Sequence, residues 1–244
     1  MRLLHTKELE TGGFELQEFG EQDTPPYAIL SHTWGDGEVT LQDMALGRFA
    51  GKKGYEKIRG CCSLARANGY DYAWVDTCCI DKTSSAELSE AINSMYRWYG
   101  EAGVCYGYLA DVPSTAEFAE SRWFTRGWTL QELIAPETVI FLDEAWNELG
   151  TRETLKQDIS RRTGIPLSVL SGSDLNGMSV AQKMSWAASR KTSRSEDRAY
   201  CLMGIFGINM PLLYGEGERA FMRLQEEIMK VTDDDSIFAW RSNG

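Results

Sequence analysis

One stretch of the sequence, residues 121–133, reads Ser-Arg-Trp-Phe-Thr-Arg-Gly-Trp-Thr-Leu-Gln-Glu-Leu. It brings two tryptophans, two arginines and a glutamate close together, a density of large and charged side chains that a ligand explains more readily than a fold does. The apolar spacing of its second half predicts a short helix from Trp128 to Ile134. Glu132 then lies on the same side of that helix as Trp128.

The residues around this helix leave two roles open for Glu132. Pro136 ends the helix, and the β-rich run 138–142 follows it as a strand. Glu132 either faces a ligand or pairs with Arg126 or Arg122 on a solvated surface, as most charged side chains do.

Three short apolar runs before this stretch predict buried strands, and the first two are each followed by a helix. The strands are expected at 27–31, 72–76 and 104–110, and the helices at 55–67 and after a capping box of Ser84 and Glu87. Strands that alternate with helices at this spacing predict an α/β fold with a parallel sheet and flanking helices.

Polar side chains stand at or just beyond the carboxyl end of each predicted strand. They are Ser31 and His32, Asp76 and Asp81, and Asp111. Ligands bind outside the carboxyl ends of the strands in open parallel sheets, so these residues are expected to line a single rim.

The ends of the chain carry weaker patterns. Residues 1–24 suggest an edge hairpin, and from about residue 151 the pattern becomes helical until a candidate strand at 237–240. The predicted helices are 151–163, 179–189, 196–205 and 216–231. Arg190, Lys191, Arg194 and Arg198 cluster between these helices, where they either receive an anionic group or form a solvated basic face.

Composition excludes several functional classes. The 244 residues carry a net charge of −11 without a basic cluster of the size that nucleic acid requires. We expect no secretory signal and no membrane span, because no apolar run approaches the roughly 20 residues that a span needs. The six cysteines lack zinc-site spacing and are interpreted as buried, reduced residues of a cytoplasmic protein.

Several runs, in the same order, resemble the fungal heterokaryon-incompatibility (HET) domain family. They are 26–35 (PYAILSHTWG), 72–81 (YAWVDTCCID), 91–99 (AINSMYRWY), 122–136 (RWFTRGWTLQELIAP), 197–204 (DRAYCLMG) and 211–217 (PLLYGEG). The resemblance implies one HET domain over residues 1–244, acting as a cell-death effector when unlike hyphae fuse. It also implies that nucleotide-binding and repeat modules follow in the full-length protein.

A more distant resemblance concerns Toll/interleukin-1 receptor (TIR) domains. The run Trp128-Thr-Leu-Gln-Glu-Leu133 is similar to a plant TIR run that contains a catalytic glutamate, with threonine here in place of cysteine. This implies a TIR-like, flavodoxin-like core over residues 1–145, elaborated by a helical half, 146–244, that TIR domains lack.

Many TIR domains cleave the nicotinamide–ribose bond of NAD, so the resemblance implies NAD as substrate and no prosthetic group. Glu132 would be the carboxylate that stabilises the oxocarbenium-like transition state. The candidate substrate contacts are Ser31, His32, Trp34, Asp36, Asp76, Trp123 and Trp128. TIR domains also imply assembly into a homo-oligomer on activation, because the loop after the second strand often completes a composite pocket.

Each of these residues has an alternative role. The tryptophans can be packing residues, His32 a structural histidine, and Asp76 and Asp81 caps or loop anchors. A metal at His32 lacks a second soft ligand, and a Cys78 or Cys79 nucleophile with His32 is conceivable. The competing function is a non-catalytic module that triggers death by self-assembly through its tryptophan-rich surface.

Overall fold

The computed structural model describes residues 1–10 and 12–239. Seven strands form one mixed sheet: β1 (Arg2–Glu8), β2 (Phe14–Glu18), β3 (Tyr27–His32), β4 (Tyr72–Trp74), β5 (Val104–Tyr108), β6 (Val139–Leu142) and β7 (Glu148–Thr151). Their order across the sheet is β2-β1-β4-β3-β5-β6-β7. The predicted α/β class is therefore confirmed.

The centre of the sheet is parallel, and its two edges are antiparallel. The four strands predicted from apolar runs form the parallel centre, in which β3 pairs with β4 and β5, and β5 pairs with β6. The predicted N-terminal hairpin is β1 and β2, and β1 joins β4 antiparallel. The sheet is thus mixed rather than purely parallel, because hairpins extend both sides of the parallel centre.

Helices flank this sheet and make up most of the second half of the chain. They are α1 (Leu41–Ala45), α2 (Lys53–Ala67), α3 (Asp76–Cys79), α4 (Ser85–Glu101), α5 (Thr129–Ile134), α6 (Lys156–Thr163), α7 (Leu167–Leu170), α8 (Val180–Ala187), α9 (Asp197–Tyr200), α10 (Met203–Phe206) and α11 (Arg219–Val231). Helix α2 buries its apolar stripe against β1, β3 and β4. Within the described residues, the longest helices are too short or too polar to cross a bilayer.

The connections around β3 determine where a ligand site is expected. The chain leaves β3 for β4 on one side and returns to β5 on the other side. The carboxyl end of β3 is therefore a topological switch point, where open α/β sheets form their ligand crevice.

Three predictions for the second half were wrong. Residues 148–151, assigned to no strand, pair antiparallel with β6 as β7, so the helix expected from residue 151 begins only at Lys156. The helix expected over 196–205 is broken into α9 and α10. The strand expected at 237–240 is instead a 3₁₀ turn, Asp235–Phe238, because the Asp234 side chain caps the Ser236 amide; Trp240 lies outside the described residues.

Candidate functional site

A cavity of about 240 Å³ lies at the carboxyl end of β3. Its walls come from both halves of the chain. The first half contributes His32, Trp34, Asp76 and Glu132, and the second half contributes Arg194, Asp197 and Tyr214. Apolar residues of α4, which include Ile92, Met95 and Tyr99, form the remaining wall. Of the residues predicted to form a single rim, His32 and Asp76 line this cavity, and the helical half forms the opposite side of the cavity.

Glu132 occupies the inner wall of this cavity. It sits on α5, whose Leu130 and Leu133 are fully buried, and its own side chain is only 7% exposed. Its Oε2 accepts a hydrogen bond from Ser31 Oγ. Among the described residues it forms no ion pair, and Arg122 pairs instead with Asp111, so the surface-pair alternative is wrong.

Ser31 and Trp123 support Glu132 from behind the cavity wall. Both are buried, and Trp123 Nε1 donates to Ser31 Oγ at 2.8 Å. The Trp123 ring packs edge-on against Phe124 and Phe141. Contrary to the prediction, neither residue lines the cavity: β3 and the 3₁₀ turn Arg122–Thr125 place them behind its wall, where they fix the Glu132 carboxyl.

Burial governs the protonation of Glu132. Removal from water raises the pKa of Glu132 to about 8, opposed by the Ser31 hydrogen bond and reinforced by the negative charge of Asp76. The carboxyl is thus largely protonated at neutral pH. A cation bound beside it would favour its ionised form.

Asp76 has the opposite electrostatic setting, although it faces the same cavity. It accepts hydrogen bonds from His32 Nε2 at 3.1 Å, Trp34 Nε1 at 2.9 Å and Lys82 Nζ at 3.3 Å. Burial raises the pKa of Asp76, but Lys82 and His32 outweigh burial and hold it below its ordinary value. Two carboxyls with divergent pKa values in one cavity are the usual arrangement of an acid–base site.

His32 serves Asp76 and also lines the cavity. Lys57 Nζ approaches its Nδ1 at 3.4 Å, which leaves Nε2 as the protonated nitrogen that donates to Asp76. Trp34 is half exposed at the mouth, and the Lys82 ammonium lies 3.6 Å from the centroid of its ring. The ammonium of Lys82 therefore covers this aromatic face.

The remaining predicted residues divide into those inside and those outside the cavity. Trp128 is half buried and lines it. Asp36 is exposed and lies outside its lining, because the loop after β3 turns away beyond Trp34. Asp81 and Asp111 are also outside: Asp81 accepts from the Thr83 amide, and Asp111 accepts from Ser121 Oγ and the Arg122 amide. The loop-anchoring alternative therefore describes Asp81, and Asp111 anchors its loop in the same way.

The cysteines take no part in the cavity. All six are buried and none forms a disulfide, as predicted for small apolar residues. A hydrogen bond with Cys79 and burial raise the pKa of Cys78 well above its ordinary value, which opposes its use as a nucleophile. In the part of the chain that the structure describes, no group of His, Cys, Asp or Glu residues could hold a metal ion.

Three cavity residues of the second half had not been assigned to the site. Arg194 stacks on the Tyr214 ring, with its guanidinium carbon 4.4 Å from the centroid, and Tyr214 Oη donates to Asp197 Oδ1 at 2.9 Å. Burial raises the pKa of Asp197. Asp197 and Tyr214 lie in the motif runs 197–204 and 211–217. These runs drew attention to both residues, but no local pattern placed either of them in the site.

Comparisons with known proteins agree with the motif runs. Residues 27–116 match the family model described as heterokaryon incompatibility protein (HET), and 219–243 match a domain of unknown function. The chain is 50% identical over 229 residues to vegetative incompatibility protein HET-E-1 of Podospora anserina, an alignment that spans 88% of this chain and 17% of that relative. No solved structure matches. The chain therefore belongs to the heterokaryon-incompatibility (HET) domain family.

Proposed function

We propose that this domain is a cell-death effector of fungal allorecognition that cleaves NAD at the nicotinamide–ribose bond. The observation that carries the chemistry is Glu132, a buried carboxyl that forms no ion pair with any residue the structure describes and that faces a cavity at the switch point of the sheet. The biological role is inferred from the name of the relative, which is a vegetative incompatibility protein.

In the proposed reaction, the bond between ribose C1′ and the pyridinium nitrogen breaks, and its electron pair leaves with neutral nicotinamide. The positive charge that develops on C1′ and the ring oxygen is stabilised by ionised Glu132. Water then adds to C1′ and gives up one proton, so the products are nicotinamide, ADP-ribose and a proton. Glu132 is placed to accept that proton.

The cavity supports a cationic substrate. Three carboxyls line it, Asp76, Glu132 and Asp197, together with the aromatic faces of Trp34, Trp128 and Tyr214. A pyridinium ring stacked on Trp34 would replace the Lys82 ammonium there. On Trp34 or on Trp128, its positive charge would draw Glu132 into its ionised form. Once the bond to ribose breaks, nicotinamide is neutral and is no longer attracted electrostatically to the aromatic ring or to Glu132.

The test is nicotinamide release by purified protein, assayed both dilute and clustered on a scaffold. Glu132→Gln should lower the rate at least about 100-fold, as expected when a charge that stabilises the transition state is removed. Glu137→Gln, on an exposed glutamate five residues away, is the matched control and should retain the wild-type rate. No release under either condition favours the non-catalytic, self-assembling module.

We also propose that activity requires association of copies of the domain. The cavity is smaller than the roughly 300–1,000 Å³ of typical ligand sites, so a neighbouring copy has room to complete it over the mouth. The rate per molecule should then rise with protein concentration, and a rate that stays constant contradicts this. In a cytoplasmic full-length protein, nucleotide-binding and repeat modules would supply the trigger.

A further inference from the structure

Three of the predicted substrate contacts, Ser31, His32 and Asp36, offer no partner for the phosphates of a nucleotide. Ser31 is buried behind Glu132, His32 is bonded to Asp76, and Asp36 is both anionic and outside the cavity. A nucleotide that placed its ribose at Glu132 would need its anionic groups bound elsewhere on the rim.

Two arginines reach the cavity with guanidinium groups that form no ion pair among the described residues. Arg126 is half buried and lines the cavity. Its backbone carbonyl accepts from Arg190 Nη1 at 2.9 Å and from Thr129 Oγ1 at 3.0 Å, and its backbone amide donates to Trp123 O at 3.3 Å. Arg194 is exposed, and its guanidinium carbon lies over the Tyr214 ring, 4.4 Å from the ring centroid. Stacking fixes the plane of a guanidinium while its N–H groups remain free to donate to an oxyanion.

The chain brings these two arginines together from distant positions in the sequence. Residues 125–127 and 191 form a parallel bridge in which Lys191 N donates to Thr125 O at 2.6 Å and Gly127 N donates to Lys191 O at 2.9 Å. Arg194 follows this bridge by three residues. Of the predicted basic cluster, only Arg194 lines the cavity; Arg190 is buried and holds the Arg126 carbonyl and Thr129 Oγ1.

From these positions we propose that Arg126 and Arg194 bind the phosphate groups of a nucleotide whose cationic ring enters the cavity. The site then distinguishes a nicotinamide nucleotide from the nucleoside that lacks its phosphates: carboxyls receive the ring and ribose, and guanidiniums at the mouth receive the phosphates. Lys82, which also lines the cavity, is held by Asp76, with its Nζ 3.3 Å from Asp76 Oδ2. The ring's orientation rests on the proposed function, whereas phosphate binding can be measured without it.

The experiment is calorimetric titration of the purified domain with ADP-ribose and, in parallel, with adenosine. Arg126→Gln and Arg194→Gln should each weaken ADP-ribose binding about fivefold or more, and the double variant about 50-fold, as expected for charge-assisted hydrogen bonds. Adenosine binding should not change. The matched control is Arg48→Gln, an exposed arginine outside the cavity, which should bind ADP-ribose like wild type.

Thermal melting verifies that each variant is folded, and Arg194→Lys tests whether charge alone suffices. The proposal is overturned if wild-type protein does not bind ADP-ribose, or if the double variant binds it within twofold of wild type. Arginine-dependent binding without any NAD cleavage upholds this proposal and refutes the proposed activity. Cleavage of NAD with an unchanged KM in the double variant upholds the proposed activity and refutes phosphate binding by the two arginines.

Discussion

Residues 1–145 and residues 146–239 form two different walls of the same cavity. The first wall presents groups fixed by buried hydrogen bonds at strand ends, with Glu132 held by Ser31 and Asp76 held by His32. The second wall presents Arg194, Asp197 and Tyr214, which stand in or beside turns and four-residue helices. The sheet therefore positions the groups of the first wall, whereas docking of the helical half positions the second.

The docking contacts are specific. Asn93 on α4 exchanges two hydrogen bonds with the backbone of Met210, and α10 packs on α4 where Gly204 faces Tyr96. Arg190 bonds across to Arg126 and Thr129 beside Glu132. If the comparison is correct, variants at these contacts should disturb the second wall, and variants at Glu132 should affect the first.

The largest effect is expected from Arg190→Met. The guanidinium, 8% exposed, donates to Trp186 O at 3.1 Å and to Arg126 O and Thr129 Oγ1 at 2.9 Å. Burial lowers the pKa of Arg190 to about 10, so it remains charged at neutral pH. Loss of these three hydrogen bonds from a buried side chain should reduce the free energy of unfolding by about 3 kcal/mol in urea titrations.

Arg48→Met, on an exposed arginine of the first half, is the control and should change stability by less than about 0.5 kcal/mol. A loss at Arg190 no greater than that of the control would mean that the two walls are not joined through this side chain.

A second effect concerns pH and the first wall. The pKa of Glu132 is about 8 in the folded protein, above its ordinary value of 4.5. Between these values the folded state retains a proton that the unfolded state has lost, so wild-type stability should fall by about 1.4 kcal/mol per pH unit. Glu132→Gln removes this dependence. The stability of the variant relative to wild type should therefore rise by about 2 to 3 kcal/mol from pH 5.5 to 7.5.

Denaturant midpoints for the two proteins at both pH values measure this difference directly. A stability difference that stays constant with pH would mean that the pKa of Glu132 is the same in the folded and the unfolded protein. The carboxyl would then be solvated rather than fixed by a buried hydrogen bond, as the account of the first wall requires.

The smallest of the three effects is expected from Gly204→Ala. A Cβ at this position would lie far inside van der Waals contact with Tyr96 Cβ, so α10 must move away from α4. Overpacking of this kind should cost about 2 kcal/mol and weaken ligand binding through Asp197 and Tyr214. Gly177→Ala is the matched control, since nothing lies within 4 Å of its added Cβ. Equal stability of the two variants would argue against a tight α4–α10 contact.

The sequence predicted the first wall better than the second for a physical reason. Apolar runs of about five to seven residues bounded by polar loops identified β3 to β6, and the spacing after Trp128 placed Glu132 on a helix. Helices of four residues, such as α9 and α10, are too short for an apolar period to develop. Their positions depend on docking contacts that no local pattern records.

Individual tryptophans illustrate the same limit. Trp123 and Trp128 stand five residues apart in one motif, yet Trp123 is buried behind Ser31 whereas Trp128 lines the cavity. Composition and spacing favoured both as ligand contacts. The difference arises because the 3₁₀ turn Arg122–Thr125 directs Trp123 into the cluster of Phe118, Phe124 and Phe141.

The most direct test of the central claim is a crystal structure of the Glu132→Gln variant with NAD. The account predicts that the nicotinamide ribose lies beside the substituted side chain, with the ring on Trp34 or Trp128 and the phosphates at Arg126 and Arg194. NAD bound elsewhere on the domain would contradict it. So would a cavity that stays empty at saturating NAD while the introduced glutamine remains bonded to Ser31.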